Sequence, residues 1–136
     1  MKKPFLLFTL KCTVILYFAA CTNIQNYSVA NAVTTVVTKG MWKVNLCQGQ
    51  TTDDCNEFAG YTFTFNLSGD VTASKNDVVV KGKWAEDNIS NRLTLSLQSA
   101  DPVLVKLNNY WSISTVSETQ VVLENNTNTK LNITSL

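Results

Sequence analysis

From Gly40 to the C-terminus, apolar side chains recur at every second position in one short run after another. This two-residue period constrains the fold more than any other feature of the chain. A strand points successive side chains to opposite faces, so each such run has one apolar and one polar face. Trp42, Val44 and Leu46 alternate with Lys43, Asn45 and Cys47; Tyr61, Phe63, Phe65 and Leu67 alternate with Thr62, Thr64 and Asn66. Val71 and Ala73, the stretch from Val78 to Ala85, and then Leu93, Leu95 and Leu97 continue the series. Trp111 and Ile113, Val121 and Leu123, and Leu131 and Ile133 complete it. The connectors Ser68-Gly69-Asp70, Asn76-Asp77, Ser117-Glu118-Thr119 and Asn125 to Thr129 have turn chemistry. About eight short strands with hairpin-length loops predict an all-β antiparallel meander. It is either an up-and-down barrel or a barrel-like sandwich around one shared interior.

Two stretches depart from the period of two. Val29, Val33, Val36 and Val37 follow helical spacing between Ser28, a candidate cap, and Gly40, a candidate stop, which predicts a short N-terminal helix. Asp101-Pro102 has the form of an N-cap followed by a first-turn proline, and a helical turn there directs Leu104 and Leu107 to the core. Gly82, inside a strand, marks a bulge or bend.

The first 20 residues are set aside from the fold. Lys2 and Lys3 precede an apolar stretch from Pro4 to Ala20, and small residues lead into Cys21, the layout of a secretory signal peptide. Phe18-Ala19-Ala20-Cys21 resembles the lipobox of bacterial lipoproteins, in which the cysteine is lipidated and becomes the mature N-terminus. The expected organisation is a signal peptide over 1–20, a lipid-anchored tether over 21–28 and one domain over 29–136. Two other readings compete. An uncleaved anchor meets an apolar run shorter than the roughly 20 residues of a spanning helix, with Lys11 in its middle. Ordinary cleavage after Ala30-Asn31-Ala32 meets a site far from that run. Of the four cysteines, Cys12 leaves with the signal peptide and Cys21 takes the lipid, so Cys47 and Cys55 remain as a disulfide pair for an oxidising compartment. Thr22 rather than Asp follows Cys21, which by resemblance to lipoprotein sorting in Gram-negative bacteria favours the outer membrane. No acidic cluster follows to direct export to its outer surface, so a periplasm-facing protein is expected.

Charge excludes one class of partner. The chain is +1 in total, but Lys2, Lys3 and Lys11 lie in the leader, leaving eight basic and ten acidic side chains and a net −2. There is no basic stripe for nucleic acid.

Gly40-Met41-Trp42 resembles the G-x-W motif that opens lipocalins and other calycin-type β-barrels. The ordered set is more specific. Gly40-x-Trp42 is followed by Phe58-Ala59-Gly60-Tyr61-Thr62-Phe63-Thr64-Phe65, then Gly82-Lys83-Trp84, then Asn109-Tyr110-Trp111. That set resembles small lipocalin-like lipoproteins of Gram-negative bacteria, most of which have no assigned activity. The resemblance covers about Gly40 to Leu123 and implies a barrel with a Trp plugging one end behind a short helical turn. One departure is that lipocalins carry an Arg near the last strand across that Trp, where this chain has only Lys130.

The chain has no histidine, which removes His-dependent triads, the commonest general base and the usual metal ligand. No phosphate loop, zinc spacing or calcium loop is present, so neither a cofactor nor a metal is expected. Asp53-Asp54 and Glu86-Asp87 are adjacent carboxylate pairs in turn-like segments, where acidic residues serve solubility and capping. The expectation is a non-enzyme. The aromatic side chains Trp42, Tyr61, Phe63, Trp84 and Trp111 face inward; they either fill the interior as packing or line a pocket for a small ligand. Tyr110 faces the opposite way from Trp111, where it can stack on a sugar ring. The polar loop between Cys47 and Cys55, pinned by its disulfide, is a further candidate for contact with a protein or glycan. Two functions fit. One is a membrane-anchored, lipocalin-like binding module for a small apolar molecule or a glycan. The other is a structural or interaction protein of the cell envelope, with a filled core and a protein partner.

Overall fold

The computed structural model describes residues 32–48 and 55–136. The predicted signal peptide, the lipidation site Cys21, the tether, Ser28 and Asp53-Asp54 lie outside the described residues. The element order is α1 (Ala32–Val37), β1 (Met41–Gln48), β2 (Thr62–Phe65), β3 (Asp70–Lys75), β4 (Val78–Asp87), β5 (Arg92–Leu97), α2 (Pro102–Val105), β6 (Asn109–Val116), β7 (Gln120–Glu124) and β8 (Thr129–Ser135). The eight strands form a closed antiparallel barrel in sequence order. Of the two architectures the alternation allowed, the barrel is the one adopted, because β1 and β8 pair along seven residues from Trp42↔Ser135 to Gln48↔Thr129.

Inward positions follow the period of two. Trp42, Val44 and Leu46 of β1, Phe63 and Phe65 of β2, Leu93, Leu95 and Leu97 of β5, and Leu131 and Ile133 of β8 are all buried in one core. The turns that keep these faces in register use the left-handed region. Asn76 and Asp77, at φ 49° and 66°, form the two-residue hairpin between β3 and β4 that matches the twist of its strands.

Three positions differ from the sequence pattern. Leu67 continues the alternation of β2 but is 79% exposed. The strand ends at Phe65, and hydrogen bonds from Asn66 N to Asp70 O and from Gly69 N to Asn66 O turn the chain away first. Gly82 carries no bulge, since Val71, Gly82 and Leu97 stand in unbroken register. Its missing side chain serves close approach instead: a Cβ there would lie 2.4 Å from Ser96 O and 2.7 Å from Leu97 Cα. The irregularity falls at Ser114, where the pairing of β6 with β7 shifts between Ile113 and Thr115.

Both mouths of the barrel are covered. At the first, α1 touches β1, β4 and β6 on different sides of the ring and buries Val33 and Val37 completely. At the second, α2 begins as the sequence predicts, with Asp101 accepting a hydrogen bond from Val103 N and Pro102 in the first turn. Leu104 and Leu107 are buried beneath it. Phe58, ahead of β2, packs edge-on against Phe63 at 6.5 Å and completes that cover. Cys47 and Cys55 are joined by a disulfide, with their Cα atoms 4.7 Å apart.

Candidate functional site

Of the two roles open to the inward aromatic side chains, packing or lining a pocket, the structure shows them filling the interior. Trp42, Phe63, Trp84 and Trp111 are all at least nine-tenths buried. Each indole N–H donates to a main-chain carbonyl: Trp42 to Val37 at 2.7 Å, Trp84 to Asn66 at 3.0 Å, and Trp111 to Leu107 at 3.0 Å. A buried Trp needs such a partner, because an unpaired N–H away from water costs about 1–3 kcal/mol. Phe65 meets the Trp84 ring edge-on at 5.6 Å. Trp42 thus anchors the helix over the first mouth and Trp111 the helix over the second. Lys130 does not cross Trp42; it pairs with Glu124 at 3.6 Å.

Tyr61 stands at the second mouth, half-buried, with its hydroxyl donating to Asp101 Oδ2 at 2.9 Å. That carboxylate holds the phenol above its ordinary value of 10.0 by accepting the hydrogen bond, with burial and charge repulsion adding to it. Lys75 Nζ lies 5.0 Å above the Tyr61 ring. Tyr61 therefore ties β2 to the cap of α2.

Tyr110 is 68% exposed, as its position beside Trp111 predicts. It borders a shallow polar depression of about 220 Å³ with Arg92, Asn109, Asn126 and Thr127. An aromatic face beside amide and guanidinium donors is the chemistry that stacks on and hydrogen-bonds a sugar.

The larger concavity lies at the first mouth, beside α1. It is an open cleft of about 1200 Å³ between α1, the β4–β5 turn and the last residues of β6. Val36, Ile113 and Val116 form an apolar floor, while Asn91, Ser114 and Thr115 supply polar groups. The cleft exists because β5 begins only at Arg92. Arg92 at its start pairs with Ser112, and Asn91 meets Ile113 through both its carbonyl and its side-chain amide at 3.0 Å. Ser114 to Val116 run on past that point with β7 on one flank.

Glu86 forms one wall of the cleft. The sequence places it in a turn; the structure places it on β4, where Val80, Gly82, Trp84 and Glu86 share the inward face. Its carboxylate accepts from Val33 N at 3.2 Å, Thr34 N at 2.8 Å and Thr34 Oγ1 at 2.7 Å. Those are the unsatisfied donors of the first turn of α1, so a strand residue does the work expected of a local cap. The continuing alternation of β4 was the signal that could have found it.

The chain has no histidine, and no group of His, Cys, Asp and Glu among the described residues could hold a metal ion. Among the described residues no helix is long and apolar enough to cross a membrane.

No protein-family model matches the chain, and no curated protein matches it in sequence. Solved structures do match in fold. A DUF4847 family protein from Bacteroides vulgatus aligns with a TM-score of 0.59 at 14% identity, over 76% of this chain and 97% of its own. A lipocalin-like protein from Bacteroides uniformis aligns with a TM-score of 0.51 at 14% identity, over 73% of this chain and 98% of its own. The fold is lipocalin-like.

Proposed function

We propose that this chain is a non-catalytic binding module, tethered to the outer membrane through Cys21 and facing the periplasm, which takes a small amphipathic molecule in the α1–β6 cleft. The observation that supports this is the contrast between a barrel stoppered at both mouths by α1 and α2 and a cleft left open beside α1. Ligand sites are concave and mostly apolar, with a few placed polar groups, and the floor and rim of this cleft have that character. The tether reading is supported by the leader from Lys2 to Cys21.

A glycan bound at Tyr110 is the second reading, favoured by the exposed ring next to Arg92 and Asn109.

Amide and indole NMR spectra test both readings. The isotope-labelled protein is titrated with a medium-chain fatty acid and, separately, with a short oligosaccharide. The cleft reading expects shifts at Ser114, Thr115 and Asn91, lost when Thr115→Trp fills the cleft from its exposed face. The glycan reading expects shifts at Tyr110 and Asn109. Shifts confined to the indole N–H groups of Trp42, Trp84 and Trp111 would overturn both in favour of an internal site. A spectrum that neither probe moves would also overturn both, leaving the filled barrel as a support for a protein partner. The tether is tested by palmitate labelling in a Gram-negative host, where label is expected in the native chain and absent from Cys21→Ser.

A further inference from the structure

The two ends of the barrel differ in what their turns present. In an up-and-down barrel the start of β1, the β2–β3 and β4–β5 turns and the end of β8 share one end, and α1 covers the mouth there. At this end Leu67 sits in the β2–β3 turn at 79% exposure and Ile89 in the β4–β5 turn at 100%. Met41 and Leu136, linked by a hydrogen bond from Leu136 N to Met41 O, add two more exposed apolar side chains. Lys39 and Lys43, both exposed, flank Met41. Turn tips at the opposite end are polar, Asn76-Asp77 between β3 and β4 and Asn126-Thr127 between β7 and β8. The apolar and aromatic side chains exposed there, Val78, Val79, Val105 and Tyr110, stand beside those tips or on the α2 side at 44–68% exposure, against 79% and 100% for Leu67 and Ile89.

Ile89 is held out rather than left loose. Asp87 Oδ1 accepts from Ile89 N at 2.9 Å and from Ser90 N at 3.3 Å, and Asp87 Oδ2 accepts from Ser90 Oγ at 2.6 Å. A braced turn therefore carries a large aliphatic side chain fully into solvent. The remaining turn at this end, Ser117-Glu118-Thr119, is polar, so the apolar side chains occupy the arc from β8 through β1 to β5.

The chain reaches Ala32, the first described residue, at this same end, because Glu86 at the end of β4 binds Val33 and Thr34. Ten residues separate Cys21 from Ala32. Fully extended they span at most about 35 Å. The far end stands roughly a further 25 Å away, the length of an eight-residue strand such as β1.

We infer that the α1 end of the barrel rests on the lipid headgroup layer, with Met41, Leu67, Ile89 and Leu136 seated among the lipids and Lys39 and Lys43 among their phosphates. This rests on the tethered reading above and goes beyond it, since a tether alone leaves the domain free to rotate. Apolar tips flanked by cations are the composition that partitions into a membrane interface, with lysine stems lying along apolar surface and their charge in water. The domain then leans on its β1–β5 side, and the cleft bordered by Ile89 opens at the bilayer surface.

The full chain, produced as the lipoprotein and reconstituted into phosphatidylcholine–phosphatidylglycerol vesicles, tests this. Ile89→Cys and, at the far end, Val78→Cys are each labelled with an environment-sensitive fluorophore; Val78 is 63% exposed, so neither change disturbs the core. Lipids carrying a nitroxide near the headgroup are expected to quench the label at 89 several-fold more than the label at 78, and aqueous iodide to do the reverse. Equal quenching at both positions in protein that sediments with the vesicles would overturn the seated orientation while leaving the tether intact. Protection of 89 from both quenchers would also overturn it, in favour of a protein covering that end. Protein that stays in the supernatant would overturn the tether, and the orientation with it.

Discussion

The carboxylate of Glu86, on the inward face of β4, meets Thr34 twice: its Oε2 accepts from the backbone N–H at 2.8 Å and from the hydroxyl at 2.7 Å. A helix of six residues makes few hydrogen bonds of its own and depends on such outside partners. Hydrogen bonds to a charged acceptor contribute about 1.5–3 kcal/mol. Glu86→Ala is expected to cost stability in that range, and to release α1 before the barrel. Hydrogen exchange at the Val33 and Thr34 amides, accelerated well beyond that of β1, checks this. Exchange unchanged at those two amides would refute it.

Acid is expected to destabilise the turns at the same end. Asp87 lies below the ordinary 3.8 because the Ser90 hydroxyl, then the Ser90 and Ile89 amides, donate to its carboxylate. Asp70 is lowered by Lys83, then by Ser68. A carboxyl with a depressed folded value contributes stability that is fully present above the unfolded value and is lost as pH falls through the folded one. Loss therefore begins below pH 3.8 and deepens from there. Asp87→Asn should flatten the acid limb of a plot of urea midpoint against pH. An acid limb as steep as the parent's would contradict the assignment.

Gly82→Ala is expected to be severely destabilising, although alanine suits a strand better than glycine does. Its methyl would press into the Ser96 carbonyl and Leu97 backbone at 2.4 and 2.7 Å, neither of which is a flexible side-chain end. Overpacking of that kind costs about 1–3 kcal/mol or more. Thermal unfolding of the purified variant measures it, and a melting temperature equal to the parent's would show that β5 gives way freely.

Replacing Cys47 and Cys55 together by Ser should cost about 2–3 kcal/mol, the loop-closure contribution expected for so short a crosslink. The sequence separation is 8. Because Cys47 lies in β1 opposite Lys130 of β8, the loss should also appear as faster exchange along the β1–β8 pairing. Equal stability of the oxidised parent and the double variant would show that the bridge adds no net stability, and a loss without faster β1–β8 exchange would show that it constrains only its own loop.

The strands were legible because their inner faces are so uniformly apolar that a slip of one residue would expose all of them. The helix over the second mouth was legible from Asp101-Pro102 alone. Barrel and sandwich were not distinguishable, because the two differ by the pairing of β1 with β8, which joins opposite ends of the sequence and leaves no local trace. Leu67 looked like a core residue because alternation does not say where a strand stops; the Gly69 turn decided that. The inward aromatics were legible as inward, but not as the groups that tether both covering helices. The cleft was invisible: Val36, Asn91 and Thr115 meet only through the barrel, and the Ser114 irregularity has no signature in residue type.

Seven of the eight strand pairings join neighbours along the chain, and the eighth joins the first strand to the last. A ring of this kind has no intrinsic beginning. Each hairpin can zip from its own turn, while the β1–β8 seam waits for nearly the whole chain and carries most of the loop-closure entropy. The seam is thus the natural last step of assembly and the place where an opened chain would first expose strand edges to another copy. It is also replaceable: a linker from the end of β8 to the start of α1, with new ends cut at the Asn76-Asp77 hairpin, would move the last step to β3 and β4 without altering a single core contact.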